Sequence, residues 1–353
     1  MAWVLEAALE DIFVCGRATC LYVIAKMIDL LNKLSGKYFQ HVVGKEARQK
    51  YRLVMTLLAR DEVDVIEANI LFHLDRGVDF IIATDNGSCD GTTEILAKYE
   101  KQGHLHLIHE PSRVLDQAAW VNRMGCLAFE KYQADFIFHC DADEFWYPRS
   151  GSLKCELLAR PRADVLHANV VNILMRDRNG GEVFPEDAVY AAIKPYPKDR
   201  RQPRNLDNTS FLLFKYPSKV IYKLKKGYLP VVTGNHRIES DGKLPLFSER
   251  LSRDISVIHF PVRGVGQFAR KAINGGVARE NYEKSVAFGV GTRGWHIKRW
   301  LELSRSGKLM EEYKRLNLSD RLAEDLLATG VISKKDERLL ALMDFLITHR
   351  QKS

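Results

Sequence analysis

The stretch Phe136-Ile137-Phe138-His139-Cys140-Asp141-Ala142-Asp143-Glu144-Phe145-Trp146 decides the fold class. Its first five residues have the apolar character of a strand buried on both faces, which is typical of the parallel strands of an open α/β sheet. Ligands of such sheets bind outside the carboxyl ends of the strands. Asp141 and Asp143 follow the strand directly and offer hard oxygen ligands suited to Mg²⁺ or Mn²⁺, ions that usually also hold a substrate's phosphates. The stretch therefore predicts an active site that acts on a diphosphate.

Strand and helix patterns alternate from residue 51 onward, without hairpin signals between them. The strands are predicted at Arg52–Ala59, Phe80–Ala83, His104–His109 and from Phe136 onward. Such βα units give parallel strands joined by right-handed crossovers, so the strand ends near residues 59–62, 85, 110–113 and 141–144 are predicted to line one edge. The predicted fold class is therefore α/β, with a mostly parallel sheet flanked by helices and with helical N- and C-terminal extensions.

The character of the sequence changes after Trp146. Residues 178–210 are rich in Pro, Gly, Arg and Asn, a composition that fits a long functional loop or lid. Residues 219–260 have a β-rich pattern, with strands at 219–224, 229–238 and 255–260 and a turn at 239–242. The chain is predicted to be mostly helical from Gly264 onward.

Composition indicates a globular protein of 353 residues with a net charge of +8. This charge favours anionic ligands or an anionic membrane surface, but no basic stripe interleaved with aromatic residues indicates nucleic acid. The six cysteines lack paired metal-site spacing, so the simplest assignment is a reducing cytosol. The N-terminus has neither a signal peptide's basic region nor an uninterrupted membrane span. Its apolar residues 3–34 are expected to dock on the protein's own core, with an interfacial membrane helix as the alternative.

Three motifs in order resemble glycosyltransferase family 2, in particular its bacterial branch with a DxDEF sequence. They are Leu58-Ala59-Arg60-Asp61-Glu62, Ala83-Thr84-Asp85-Asn86-Gly87-Ser88-Cys89-Asp90-Gly91-Thr92 and Cys140-Asp141-Ala142-Asp143-Glu144-Phe145. The resemblance covers roughly residues 50 to 275. It implies a GT-A fold, a nucleotide-sugar donor and inversion at the anomeric carbon. The domains expected from it are a helical extension (1–48), a GT-A domain (49–276, divided after 146 into nucleotide-binding and acceptor halves) and a helical region (277–353).

The resemblance also implies roles for four acids. Asp85 corresponds to the acid that reads the nucleotide base, although an Asp before Asn-Gly also forms turns. Glu62 resembles the residue near the ribose. Asp143 would ligate a Mn²⁺ or Mg²⁺ ion that bridges the diphosphate, and Asp141 would reach the ribose or, through water, the metal. A solvated acidic loop is the alternative for this pair.

Three further residues are candidates for the donor site. Arg113 and Gln117 lie at the start of a predicted helix whose N-terminus points toward the same edge, where they could contact the diphosphate and the nucleotide or sugar. His259, at a strand end, resembles the histidine that many GT-A enzymes use as a further metal ligand. A histidine satisfied within the core is the alternative.

An inverting transfer also needs a base that deprotonates the acceptor hydroxyl. Family 2 enzymes usually employ an acid downstream of the metal motif, and Asp187 in the pair Glu186-Asp187 is the predicted residue. His236 is the other candidate, because it lies on a predicted strand that could face the cavity.

The resulting hypothesis is a cytoplasmic or membrane-peripheral inverting glycosyltransferase. It would move a sugar from a metal-bound nucleoside diphosphate to a surface-glycan or lipopolysaccharide-type acceptor, as in polysaccharide biosynthesis. Two other functions stay open. A sugar-phosphate nucleotidyltransferase should carry a Gly-rich basic loop after its first strand, where this chain has Ala59-Arg60-Asp61-Glu62. A non-catalytic glycan-binding protein would not need the pair Asp141 and Asp143.

Overall fold

The computed structural model describes residues 51–112, 116–197, 210–224, 227–232, 234–238, 248–285 and 295–349. The predicted N-terminal extension, Arg113 and the predicted turn at 239–242 lie outside these residues. The described strands form one ten-stranded sheet.

The first half of the sheet consists of β1 (Leu53–Ala59), α1 (Ile66–Asp75), β2 (Phe80–Asp85), α2 (Thr92–Lys101), β3 (Leu105–His109), α3 (Gln117–Glu130) and β4 (Phe136–Asp141). This half is parallel, because β1 pairs in parallel with β2 and β4, and β2 pairs in parallel with β3. Residues of β1 pack alternately into two apolar clusters, with Leu53, Met55 and Leu57 in one and Val54 in the other. A strand buried on both faces explains the nearly continuous apolar sequence. The predicted α/β class with a mostly parallel central sheet is confirmed.

The second half of the sheet is mainly antiparallel. Its elements are β5 (Glu144–Pro148), α4 (Leu153–Leu158), β6 (Val165–Leu174), β7 (Tyr190–Ala192), β8 (Lys219–Lys223) and β9 (Glu249–His259). The strand β5 begins three residues after the end of β4, yet it pairs with β9, which in turn runs parallel to β6. The described residues of the strand predicted at 229–238 form only an isolated bridge between Val231 and Ile238.

The C-terminal part is helical, as predicted, apart from one short strand. It contains α5 (Val265–Ser285), α6 (Trp295–Arg305), α7 (Leu309–Leu316), α8 (Asp320–Ala328), β10 (Ile332–Ser333) and α9 (Glu337–Thr348). The strand β10 pairs with β7 at the edge of the sheet. The strand order is therefore β10-β7-β6-β8-β4-β1-β2-β3, with β9 also paired to β6 and β5 paired to β9. The predicted boundary between residues 276 and 277 falls within α5, and the three-part domain division stays a prediction. None of the described helices combines the length and apolarity needed to cross a bilayer.

Candidate functional site

A cavity of about 360 Å³ opens at the carboxyl edge of β1 and β4, within the size range of small-molecule sites. The β1 side contributes Leu58 to Glu62, and the β4 side contributes Asp141 to Asp143. Helix α5 covers the opening with residues at helical spacing, namely Gln267, Arg270, Lys271, Asn274, Gly275 and Ala278. The cavity therefore lies where an open α/β sheet binds its ligands.

The backbone after β4 is held from behind by two buried polar side chains of α1. The Asn69 amide donates from Nδ2 to Ala142 O at 3.0 Å and to Glu144 O at 2.8 Å. His73 accepts a hydrogen bond at Nε2 from Trp146 N at 3.1 Å. Burial lowers the pKa of His73 to about 4, so the ring is neutral and can accept this bond. We call residues 141–144 the acid turn, and its shape is fixed by α1 before any ligand contact.

Asp143 lies in the acid turn and meets side chains that are distant in sequence. Its Oδ2 accepts from Lys271 Nζ at 2.6 Å and lies 3.7 Å from Arg263 Nη1. Its Oδ1 is 3.7 Å from His259 Nε2. Burial alone would raise the pKa of Asp143, but the positive charges of Lys271 and Arg263 hold it well below its usual range. Asp143 is therefore an anion at neutral pH.

His259 ends β9 and lines the same cavity. Burial lowers its pKa to about 4, so its ring is neutral at pH 7. Two ligands that each lie about 2.1 Å from one Mg²⁺ ion can be at most about 4.2 Å apart, and the 3.7 Å between Asp143 Oδ1 and His259 Nε2 meets this limit. The two residues therefore fit one divalent ion. No cluster of three or more His, Cys, Asp or Glu side chains suited to a metal occurs in the described part of the chain.

Asp141 and Glu144 share one buried cation. Lys219 Nζ lies 3.1 Å from Asp141 Oδ2 and 2.8 Å from Glu144 Oε1. Burial raises the pKa of Glu144 to about 8, against the opposing effect of the Lys219 ammonium. Gln117 donates from Nε2 to the other oxygen of Asp141 at 3.4 Å. The structure thus brings Gln117 and Asp141 together at the cavity, with Asp141 facing a lysine on one side.

Glu62 lies in the cavity wall and forms an ion pair with Arg263. Arg263, fully buried, also donates from Nε to Asp64 Oδ2 at 2.7 Å. Burial raises the pKa of Glu62 to about 7, while the Arg263 guanidinium opposes this shift. The guanidinium joins the end of β1 to the segment before α5, and this contact holds the helix over the cavity.

Asp85 is not among the residues that line the cavity. Its Oδ1 accepts from the backbone N and the hydroxyl of Ser88, and its Oδ2 accepts from Thr93 Oγ1 at 2.6 Å. The carboxylate is therefore satisfied by its own turn and the following helix. This arrangement matches the turn-forming alternative for Asp85, and its base-reading role stays a prediction.

The two predicted base residues are not among the residues that line the cavity. Asp187 accepts from Arg178 Nε at 2.6 Å and from Val183 N at 3.0 Å, which stabilises a loop. His236 Nδ1 lies 3.1 Å from Ser218 O. The role of either residue as the base stays a prediction.

Two residues of the site, Asp61 and Lys219, were not identified from the sequence. Asp61 lines the cavity at a positive φ of 53°, where its Oδ1 accepts from Cys89 N and its Oδ2 accepts from Asn274 Nδ2 at 2.8 Å. An Asp two residues after a buried strand is a signal that could have identified it, because Asp tolerates this backbone conformation. Lys219, which pairs with Asp141 but is not among the lining residues, carries no such signal, since a lysine that begins an antiparallel strand usually faces solvent.

The model of glycosyltransferase family 92 matches residues 61–161. The matched region runs from the end of β1 through the acid turn. The match indicates a glycosyltransferase. It spans less than a third of the chain, and the narrower assignment to family 2 and its DxDEF branch stays a prediction. No curated protein sequence matches significantly.

Solved structures give weaker similarities. A mycobacterial protein is 17% identical, over 36% of this chain and 43% of its own, with a TM-score of 0.27. Glucosyl-3-phosphoglycerate synthase from Mycobacterium tuberculosis, in complex with Mn²⁺, UDP and glucosyl-3-phosphoglycerate, is 18% identical over 35% of this chain and 46% of its own, with a TM-score of 0.26. TarS 1-349 from S. aureus is 11% identical over 79% of this chain and 92% of its own, with a TM-score of 0.37. This chain spans less than half the length of the first two proteins, and TM-scores this low do not extend their activities to it.

Proposed function

We propose that the chain is an inverting, metal-dependent glycosyltransferase of GT-A type, related to family 2, that moves a sugar from a nucleoside-diphosphate sugar to a glycan or glycolipid acceptor. The observation that carries the proposal is the meeting of Asp143 with His259 at one cavity. They are distant in sequence, and their facing atoms are 3.7 Å apart. The match to a glycosyltransferase family over the acid turn supports the same chemistry.

Asp143 and His259 would hold the Mn²⁺ or Mg²⁺ ion. A divalent ion at that point neutralises charge on the departing nucleoside diphosphate. Mg²⁺ ordinarily takes few protein ligands and completes its shell with water and phosphate oxygens, so two protein ligands are enough. Asp141 is held by Lys219 and Gln117, which suits a carboxylate that accepts from a ribose hydroxyl.

Cationic side chains at the cavity suit a diphosphate. Lys271 and Arg270 line it from α5, and Arg60 lines it from the β1 side. Lys271 is 28% exposed, so its ammonium can reach a ligand as well as Asp143. Charge-assisted hydrogen bonds from such groups orient phosphate oxygens.

An inverting transfer requires a base near the acceptor hydroxyl. Asp187 and His236 stay predictions for this role, as do the surface-glycan acceptor and a cytoplasmic or membrane-peripheral location.

A thermal-shift experiment with matched variants tests the proposal. Nucleoside diphosphates should raise the melting temperature of the wild-type protein only when Mn²⁺ is present, because a ligand of the native state stabilises it. Asp143→Asn should weaken this Mn²⁺-dependent binding by about 100-fold or more, equivalent to about 2.7 kcal/mol. Asp85→Asn is the control, since that carboxylate also follows a buried strand but does not line the cavity.

The expected pattern is loss of the Mn²⁺-dependent shift in Asp143→Asn and its retention in Asp85→Asn. An unchanged shift in Asp143→Asn would refute the metal site. A shift lost in Asp85→Asn, with that variant folded, would instead support the predicted base-reading role of Asp85.

A further inference from the structure

We propose that Asn172 is a positioning residue that fixes the tautomer of His259, so that His259 Nε2 presents a lone pair toward Asp143. This inference deepens the proposed function and rests on its metal site. It concerns a residue that no sequence motif identifies, because Asn172 lies in the middle of the second half of the sheet.

Asn172 is placed by strand pairing. It lies near the end of β6 and is the register partner of His259 in the parallel β6–β9 pair, so the two side chains project from the same face. Asn172 is only 3% exposed, and its amide therefore needs hydrogen-bond partners within the protein.

The orientation of the Asn172 amide follows from its other contact. Nδ2 donates to Leu212 O at 2.8 Å. A carbonyl oxygen accepts only, so the NH₂ group must face Leu212 and the Oδ1 atom must face the other way. That atom lies 2.9 Å from His259 Nδ1. The Leu212 carbonyl thus determines which end of the amide the imidazole meets.

The tautomer of His259 follows in turn. Asn172 Oδ1 is an acceptor without a hydrogen, so His259 Nδ1 must carry the proton that makes this bond. In a neutral imidazole the other nitrogen then has a free lone pair. That nitrogen, Nε2, lies 3.7 Å from Asp143 Oδ1, and both atoms are acceptors.

Two acceptors that face each other are satisfied by a cation. The opposite tautomer would point an N–H at Asp143 and would present a proton where a metal needs an electron pair. Histidine ligands generally depend on such a partner at their second nitrogen, and its loss typically lowers metal affinity by about 10–100-fold. Asn172 therefore acts on the metal site through His259 and has no contact of its own with the metal.

The matched variants are Asn172→Leu and Asn172→Asp. Both side chains are close to Asn in size, and both lose the bond donated to Leu212 O. Only Asp keeps an acceptor for His259 Nδ1. Mn²⁺ titrations followed by electron paramagnetic resonance should show an affinity about 10–100-fold lower in Asn172→Leu and close to wild type in Asn172→Asp. Equal losses in the two variants would overturn the inference, because they would reflect the Leu212 contact alone.

A second measurement does not depend on either variant folding. Long-range ¹H–¹⁵N spectra of the wild-type protein without metal distinguish the two imidazole tautomers, and His259→Ala identifies the signal. The expected result is protonation at Nδ1. Protonation at Nε2 would overturn the inference.

The outcomes separate this inference from the proposed function. If the wild-type protein binds no Mn²⁺, the metal site itself fails, and this inference fails with it. If Mn²⁺ affinity falls in His259→Ala but not in a folded Asn172→Leu, the metal site stands and only the role of Asn172 is overturned.

Discussion

Asp85 ends the buried strand β2 and Asp143 follows the buried strand β4, and the two acids are almost equally hidden, at 3% and 4% exposed, yet they have different kinds of partner. Asp85 accepts hydrogen bonds from Ser88 and Thr93, neutral groups three and eight residues away. Asp143 pairs with the ammonium of Lys271, which is 128 residues away.

The difference separates acids that build the fold from acids that can serve a ligand. Neutral donors supplied by the turn and the following helix use most of the hydrogen-bonding capacity of a carboxylate. Cations brought in from a covering helix hold a carboxylate in its charged form and can be shared with a charged ligand. By this criterion we expect the acid turn to be the functional end of the parallel sheet and the turn after β2 to be structural.

The largest expected effect is on the pH dependence of stability, and it comes from His73, which supports the acid turn from behind. Folding lowers the pKa of His73 from 6.5 to about 4, so the unfolded chain takes up this proton first as pH falls. Stability should therefore be unaffected by His73 above about pH 6.5 and should decline between pH 6.5 and 4, by about 3 kcal/mol in total. In His73→Gln, the free energy of unfolding measured with urea should depend less steeply on pH across this range, by the equivalent of up to one bound proton. An unchanged slope would mean that His73 is charged in the folded protein.

An intermediate effect is expected from Asn69→Leu. The substitution leaves the carbonyls of Ala142 and Glu144 without their buried donor, which should cost about 2 kcal/mol of unfolding free energy. Because these carbonyls shape the acid turn, Mn²⁺-dependent nucleotide binding should weaken as well.

The matched control for this variant is Asn122→Leu. Asn122 Oδ1 accepts from Tyr228 and from Val231 N, so this variant also loses two hydrogen bonds, but remote from the acid turn. Chemical denaturation and nucleotide titration should show comparable destabilisation in both variants and weaker binding only in Asn69→Leu. Weaker binding in both would indicate that general loosening, and not the acid turn, controls the site.

The smallest effect is expected from removing a hydrogen bond to Asp85. Thr93→Val removes one hydrogen bond to Asp85 while keeping the shape of the side chain, and it should cost about 1 kcal/mol. Nucleotide affinity should stay at the wild-type value, because the turn after β2 is structural in this comparison. An affinity loss larger than the stability loss would erase the distinction between the two acids.

The parallel half of the fold was predictable because each strand is an apolar run that ends in a polar residue. The stretch at Phe136 is the clearest case, and it also located the acid turn. Asp143 and His259 could be named as candidates because each directly follows or ends such a run. The sequence could not reveal their partners, because Lys271 reaches Asp143 across 128 residues and Asn172 reaches His259 across 87.

The prediction for Asp85 shows what a sequence leaves open. An Asp at the end of a parallel strand fits a ligand contact and a turn equally well from sequence alone. The structure adds hydrogen bonds from Ser88 and Thr93, whose positions depend on how the turn closes, and the base-reading role of Asp85 stays a prediction. Asp187 likewise forms a short ion pair with Arg178, and its role as the base stays a prediction.

The strand β9 lies between β5 and β6, and His259 is opposite Glu144 on one side and Asn172 on the other. Side chains of a strand alternate between the two faces, so inserting a single residue in β9 would turn His259 away from both neighbours. The strand could pair again with little loss of backbone hydrogen bonding, but the cavity would lose its histidine. Among descendants of this sequence, length changes in β9 should therefore be far rarer than substitutions at its exposed positions, because the spacing of this strand encodes the site.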